Sequence, residues 1–189
     1  EQQQLYGVDI AGGAEWQRAD PALATALTGF APRWGLHLDA NRVPNMQVHV
    51  ECEMRHLSDW SVLGDWIGKQ VLPEWDMPYG PMPYLTGLPD TMSFGSKKAL
   101  TAAAANYGCP MLWAEGHSAA PPLALDDNGH FSPPEGGWQG TLRFTQEDLD
   151  QRYDELAPKG QVDLVVIGCP QASLEELRLT AAALENHME

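Results

Sequence analysis

Residues 162–177 read Val-Asp-Leu-Val-Val-Ile-Gly-Cys-Pro-Gln-Ala-Ser-Leu-Glu-Glu-Leu. An apolar run of strand length ends in Gly168-Cys169-Pro170, and a helix begins at once behind it. Ser173 and Glu176, three residues apart, have the pattern of a capping box, and Leu174, Leu177 and Leu179 give the helix an apolar side. A strand, a shaped turn and a capped helix in this order belong to an α/β layer fold. They place Cys169 at the carboxyl end of a strand, facing a helix amino terminus. Open α/β sheets put ligands there, and a helix amino terminus favours the thiolate, the form of cysteine that binds metal. A lone cysteine is equally at home as small core filler, so position alone leaves both roles open for Cys169.

The rest of the chain repeats the alternation. Asp20, Pro21 and Gly29 bracket a short helix over 21–28. Met46 to Met54 alternates, with Val48, Val50 and Cys52 on one side and His49, Glu51 and Glu53 on the other, as in a half-buried strand. Leu57, Trp60, Leu63, Ile67 and Val71 have helical spacing, ended by Pro73. Residues 83–88 and 110–114 read as short strands around an alanine-rich helix over 96–107, whose small side chains imply close packing on a neighbour. Residues 141–144 return to strand, and Thr145 with Asp148 caps a helix running to about Leu156. Residues 1–20 have no period and are expected to form an arm. The Pro/Gly-rich stretch from Glu115 to Trp138 is long for a compact domain and reads as either a functional or a disordered loop.

Composition excludes several classes. The 189 residues carry a net charge of −15, an unfavourable surface for nucleic acid. No apolar stretch approaches the ~18 residues that suggest a membrane-spanning helix. Cys52, Cys109 and Cys169 are odd in number and widely spaced, with no disulfide or CxxC zinc pattern, so a cytoplasmic setting is expected. The chain starts Glu-Gln-Gln-Gln, which suggests a processed start or one piece of a longer polypeptide. Its 15 prolines and 18 glycines suggest long loops that lie against something else.

Four loops next to predicted strands or helices carry polar groups: His37-Leu38-Asp39 with Arg42, Thr86-Gly87, Glu115-Gly116-His117-Ser118, and Cys169. There is no GxGxxG, no GxxxxGK[ST] and no GxSxG elbow. His49 and His56 are expected on solvated faces. Glu115 and His117 could do acid–base work, or sit idle in a surface loop.

Four blocks together resemble the aconitase X family: Trp34-Gly-Leu-His-Leu-Asp-Ala-Asn-Arg42, Pro83-Tyr-Leu-Thr-Gly-Leu-Pro89, the helix from Lys97 to Tyr107, and Val166-Ile-Gly-Cys-Pro-Gln-Ala-Ser-Leu-Glu-Glu-Leu177. They occur in the family's order, and the chain looks like the later part of its large, catalytic subunit. The resemblance runs from about Asp20 to Asn186. It implies a layered αβα sheet domain of aconitase-superfamily type over 21–189, incomplete on its own. It also implies an iron–sulfur hydro-lyase that dehydrates a small hydroxy acid, such as mevalonate 5-phosphate or cis-3-hydroxy-L-proline. Cys169 matches a family cysteine expected to ligate the cluster, whose open iron position can act as a Lewis acid on the leaving hydroxyl.

The same resemblance implies partners. A further chain would carry the N-terminal half of the large subunit, with the other cluster cysteines, and a small swivelling subunit would complete the site. Cys52 and Cys109 do not fall at cluster positions and are expected in the core. His37, Asp39, Arg42, Thr86 and Gly87 would bind substrate, with Arg42 as a carboxylate clamp. His117 and Ser118 would be catalytic. Where relatives show Gly-Val-Thr-Pro-Glu-Ala, this chain has Glu115-Gly-His-Ser-Ala-Ala-Pro-Pro122, a change in an expected active-site loop. Two further readings stand beside the dehydratase: a non-catalytic scaffold subunit without a working cluster, and a metal-free acid–base enzyme using Glu115 and His117.

Overall fold

The structure is a computed structural model. It describes residues 19–31, 33, 38–70, 82–107, 109, 111–118, 136–167 and 172–185. The elements in chain order are α1 (Ala19–Thr28), a 3₁₀ turn (Asp39–Asn41), β1 (Met46–Val50), α2 (Leu57–Gln70), β2 (Pro83–Thr86), α3 (Phe94–Ala105), β3 (Trp113–Ala114), β4 (Gly140–Phe144), α4 (Gln146–Leu156) and α5 (Leu174–Glu185). The proposed arm falls on residues 1–18, outside the described residues, and residues 19 and 20 already belong to α1.

The strands form one four-stranded parallel sheet in the order β3-β2-β1-β4. Strand alternation assigns its two faces. Val48, Val50, Leu85 and Phe144 point to one face and pack with Trp60, Leu63 and Ile67 of α2, Ala99, Leu100 and Ala104 of α3, and Leu149 of α4. Val48, Leu63, Ile67, Leu85, Leu100 and Phe144 are fully buried, and each such side chain contributes roughly 1.5–3 kcal/mol. The opposite face differs along its width. Tyr84 and Trp113 are buried there with Met82 and Met111, whereas register places Gln47, His49, Thr141 and Arg143 side by side on β1 and β4.

The alanine-rich helix packs closely, as its composition implies. A Cβ at Gly64 of α2 would lie 2.2 Å from the Leu100 carbonyl oxygen and 2.9 Å from the Ala103 Cβ. A glycine facing alanines therefore sets the α2–α3 distance. At the amino end of α2, buried Asp59 accepts 2.7 Å hydrogen bonds from the backbone N–H of Arg55 and of His56. The alternation over 46–54 is strand only to Val50, where its partner β4 also ends at Phe144. Thr145 and Asp148 form the expected capping box of α4.

One expectation fails. Residues 162–167 are not a strand; they are irregular and exposed. A parallel strand buried on both faces needs a neighbour on at least one edge and cover on each side. Among the described residues nothing supplies either to this run. The helix behind it, α5, forms as expected.

Candidate functional site

All four strands are parallel, so their carboxyl ends share one edge of the sheet. β2 ends at Thr86, whose Oγ1 lies 2.9 Å from Nδ1 of His49 on β1. Gly87 follows with φ of +76°. A Cβ there would lie 2.3 Å from the Val50 carbonyl oxygen and 3.1 Å from the His49 ring, so only glycine lets β2 close against β1. Just past β1, Glu51 accepts two hydrogen bonds from Arg143 of β4, at 2.8 and 2.6 Å. The guanidinium holds the Glu51 carboxyl below its usual range. His49 Nε2 stands 3.8 Å from Glu51 Oε1. Thr86 and Gly87 thus join a polar row made with His49, Glu51 and Arg143.

β3 ends at Ala114, and the chain turns sharply. The N–H groups of His117 and Ser118 both donate to the Ala114 carbonyl, at 3.0 and 2.8 Å. Ser118 Oγ accepts the Ala114 N–H at 2.8 Å, which leaves its own hydroxyl proton free to be donated. His117 Nε2 lies 2.7 Å from the Pro89 carbonyl oxygen. A carbonyl only accepts, so Nε2 carries the proton and Nδ1 of the neutral ring keeps its lone pair. Lys97 Nζ donates to the His117 carbonyl at 3.0 Å and ties this turn to the first turn of α3.

α3 also holds α5. Lys98 is 1% exposed and its Nζ lies 2.6 Å from Glu176 Oε2. Glu176 closes the capping box predicted from sequence: Ser173 N–H donates to its carboxylate at 2.5 Å, and Glu176 N–H donates to Ser173 Oγ at 3.2 Å. Burial alone would raise the Glu176 pKa; the bonds from Lys98 and Ser173 outweigh it and hold the carboxyl below its usual range. The amino ends of α3 and α5 therefore meet beside the ends of β2 and β3.

The remaining site residues are placed as follows. His37 and Cys169 lie outside the described residues. Asp39 opens the 3₁₀ turn, and Arg42 is half-buried on the segment entering β1. That segment leads to Asn45, whose side chain accepts from Met82 N–H at 2.8 Å and so joins the amino ends of β1 and β2. It thus reaches the sheet from the edge opposite His117. Glu115 is half-buried, and its N–H donates to Leu85 at 2.9 Å. Cys109 is buried and donates to the Met111 carbonyl, and Cys52 is half-buried against Met54. Among the described residues no group of three or more His, Cys, Asp or Glu could hold a metal ion. By themselves they do not fit an iron–sulfur cluster. No described helix is long and apolar enough to cross a membrane.

Sequence reasoning missed His49, Glu51 and Arg143 as one group, and Lys98. The strand alternation did set His49 and Glu51 on one polar side. A lysine among the alanines of a closely packed helix was the available signal for Lys98.

Comparison with known proteins follows the same lines. No protein-family profile matches the chain. It is 30% identical over 183 residues to the phosphomevalonate dehydratase large subunit of Methanothermobacter thermautotrophicus, covering 96% of this chain and 42% of that protein. Against the large subunit of the same name from Methanosarcina mazei it is 30% identical over 181 residues, 95% of this chain and 41% of the relative. The crystal structure of Thermococcus kodakaraensis aconitase X in its holo-form superposes with a TM-score of 0.65 at 28% identity, covering 87% of this chain and 39% of that one. The chain thus spans about two-fifths of the length of the curated relatives it matches.

Proposed function

Since the chain is a relative of the aconitase X proteins and corresponds to a partial, later portion of their large subunit, we propose that it is the catalytic-subunit portion of a hydro-lyase that dehydrates a small hydroxy acid. Phosphomevalonate is the first substrate to try, from the name the relatives bear. The observation that carries this reading is similarity to dehydratase large subunits over 96% of the chain. The fold supports it, because Thr86, Gly87, His117 and Ser118 converge at the carboxyl edge of the parallel sheet, where α/β folds bind ligands.

In this reading His117 is a base. The Pro89 carbonyl holds Nε2–H, so in the neutral ring Nδ1 is the nitrogen that would take the proton from the carbon next to the departing hydroxyl group. Ser118, its oxygen already occupied by the Ala114 N–H, would donate its hydroxyl to the substrate. Thr86 and Gly87 form a wall against which the substrate lies. His37, Asp39 and Arg42 are substrate-binding residues by the family resemblance alone, since the segment carrying Asp39 and Arg42 enters the sheet at the edge opposite His117. Cys169 is this chain's one thiolate to an iron–sulfur cluster. The other ligands come from a chain carrying the N-terminal half of the large subunit, and a small swivelling subunit covers the site. The setting is cytoplasmic.

The test is iron and acid-labile sulfide on the anaerobically purified native assembly, with Cys169→Ser beside it. The expected result is iron and sulfide in cluster proportion, lost in the variant while assembly is retained. An assembly without iron, unchanged by the substitution, overturns this function and leaves a scaffold subunit. One feature of the sequence favours that second reading: where the family resemblance leads one to expect Gly-Val-Thr-Pro-Glu-Ala, the turn after β3 reads Glu115-Gly116-His117-Ser118.

A further inference from the structure

Between Val162 and Leu184 the described chain leaves its large apolar side chains in water. Val162, Leu164, Val165, Val166 and Ile167 are 49–82% exposed. α5 buries no residue along its length, and its Leu174, Leu177, Leu179 and Leu184 are 54–63% exposed. A single exposed leucine is ordinary. Five apolar side chains in a run and four more on the following helix form an extended apolar surface, of the kind that marks an interface.

α5 is not a loose tail. The buried Lys98 grips Glu176 at 2.6 Å, and Ser173 caps the helix. Its amino end is therefore fixed on α3 while its flank is bare. Leu174, Leu177 and Leu184 stand at i, i+3 and i+10, one stripe of a helix. The run ahead of it has the composition of a strand buried on both faces. Both segments have the sequence of a core and, among the described residues, none of its cover.

We infer that residues 162–167 and the Leu174–Leu177–Leu184 stripe are the surface on which the remainder of the large subunit docks. The run becomes a strand there by pairing with a strand of that companion. The inference rests on the proposed function and adds where the two parts meet. The occupant follows from length: about three-fifths of each relative has no counterpart in this chain. The open face over β1 and β4, with Gln47, His49, Thr141 and Arg143, is polar, and 162–184 carries most of the exposed large apolar side chains among the described residues, beside a smaller set at Leu23, Leu27 and Phe30. Permanent interfaces have that composition.

The experiment is hydrogen exchange on the native assembly containing this chain, against the isolated chain, with the companion identified by peptide sequencing. A companion similar to the remainder of the large subunit is expected, with exchange at 162–167 and 174–185 slowed at least tenfold in the assembly. The double variant Val166→Asp, Leu177→Asp is expected to weaken association at least a hundredfold while the circular dichroism of the isolated chain stays the same. Such a companion with both segments exchanging as in the isolated chain overturns the docking surface alone. So does protection in the isolated chain, from its own residues 1–18 or from a second copy. A companion unrelated to the large subunit overturns the functional reading and the docking surface together.

Discussion

Leu100 and Leu177 sit on helices of similar length, each following a short apolar stretch of the chain, yet their surroundings are opposite. Leu100 is 0% exposed, locked between α2 and the sheet. Leu177 is 54% exposed on a helix that buries nothing. The α2–α3 region carries its own complement: Gly64 faces Ala103, and Tyr107 donates to Asp65 at 2.7 Å. The 162–185 region has the apolar half of a core, and among the described residues the Lys98–Glu176 ion pair helps hold it. The difference is not one of propensity or pattern; it lies in whether a complementary surface is present among the described residues.

Substitutions sharpen the comparison, beginning with the largest effect. Leu100→Ala should cost about 3 kcal/mol by urea unfolding, as fully buried leucines do. Lys98→Met should cost about 2 kcal/mol, discounted because Glu176 keeps some access to water. That loss should fall on α5, read as faster amide exchange at 174–180 with α2 and α3 unaffected. A global loss of stability instead would mean that α5 belongs to the core. Thr145→Ala removes a capping box and should cost about 1 kcal/mol. Leu177→Ala should change the isolated chain by no more than about 0.5 kcal/mol. A cost near that of Leu100→Ala would erase the contrast.

The ion pair also predicts a pH dependence. Glu176 has a folded pKa below its ordinary value of 4.5. A carboxyl depressed on folding adds stability above its unfolded pKa, and that contribution is lost as pH falls through the folded value. NMR signals of α5 should therefore shift and broaden as pH falls below the ordinary carboxylate range, and Glu176→Gln should remove this dependence. Broadening that persists in Glu176→Gln would place the sensitivity elsewhere.

What was legible in the sequence was local. Helical spacing located α2 and α3 within a few residues of each end, Thr145 and Asp148 announced α4, and Ser173 with Glu176 announced α5. Alternation found β1, but its end at Val50 depends on where its partners β2 and β4 end, at Thr86 and Phe144, far along the chain. The polar row escaped because Arg143 reaches Glu51 only through the parallel pairing of β1 with β4, 92 residues apart in the chain. Lys98 and Glu176, separated by 78 residues, escaped for the same reason. The run over 162–167 was read as a buried strand because its composition is that of one. Burial needs neighbours, and none is present among the described residues.

The most direct test is an assay for the unsaturated acid formed by dehydration, with the isolated chain and the native assembly side by side under anaerobic conditions. The prediction is no turnover by the chain alone, turnover by the assembly, and its loss in His117→Asn with assembly and iron content retained. Turnover by the isolated chain, or an assembly that holds iron yet is inert with every hydroxy acid offered, would contradict the claim that this chain is one part of a dehydratase completed by another.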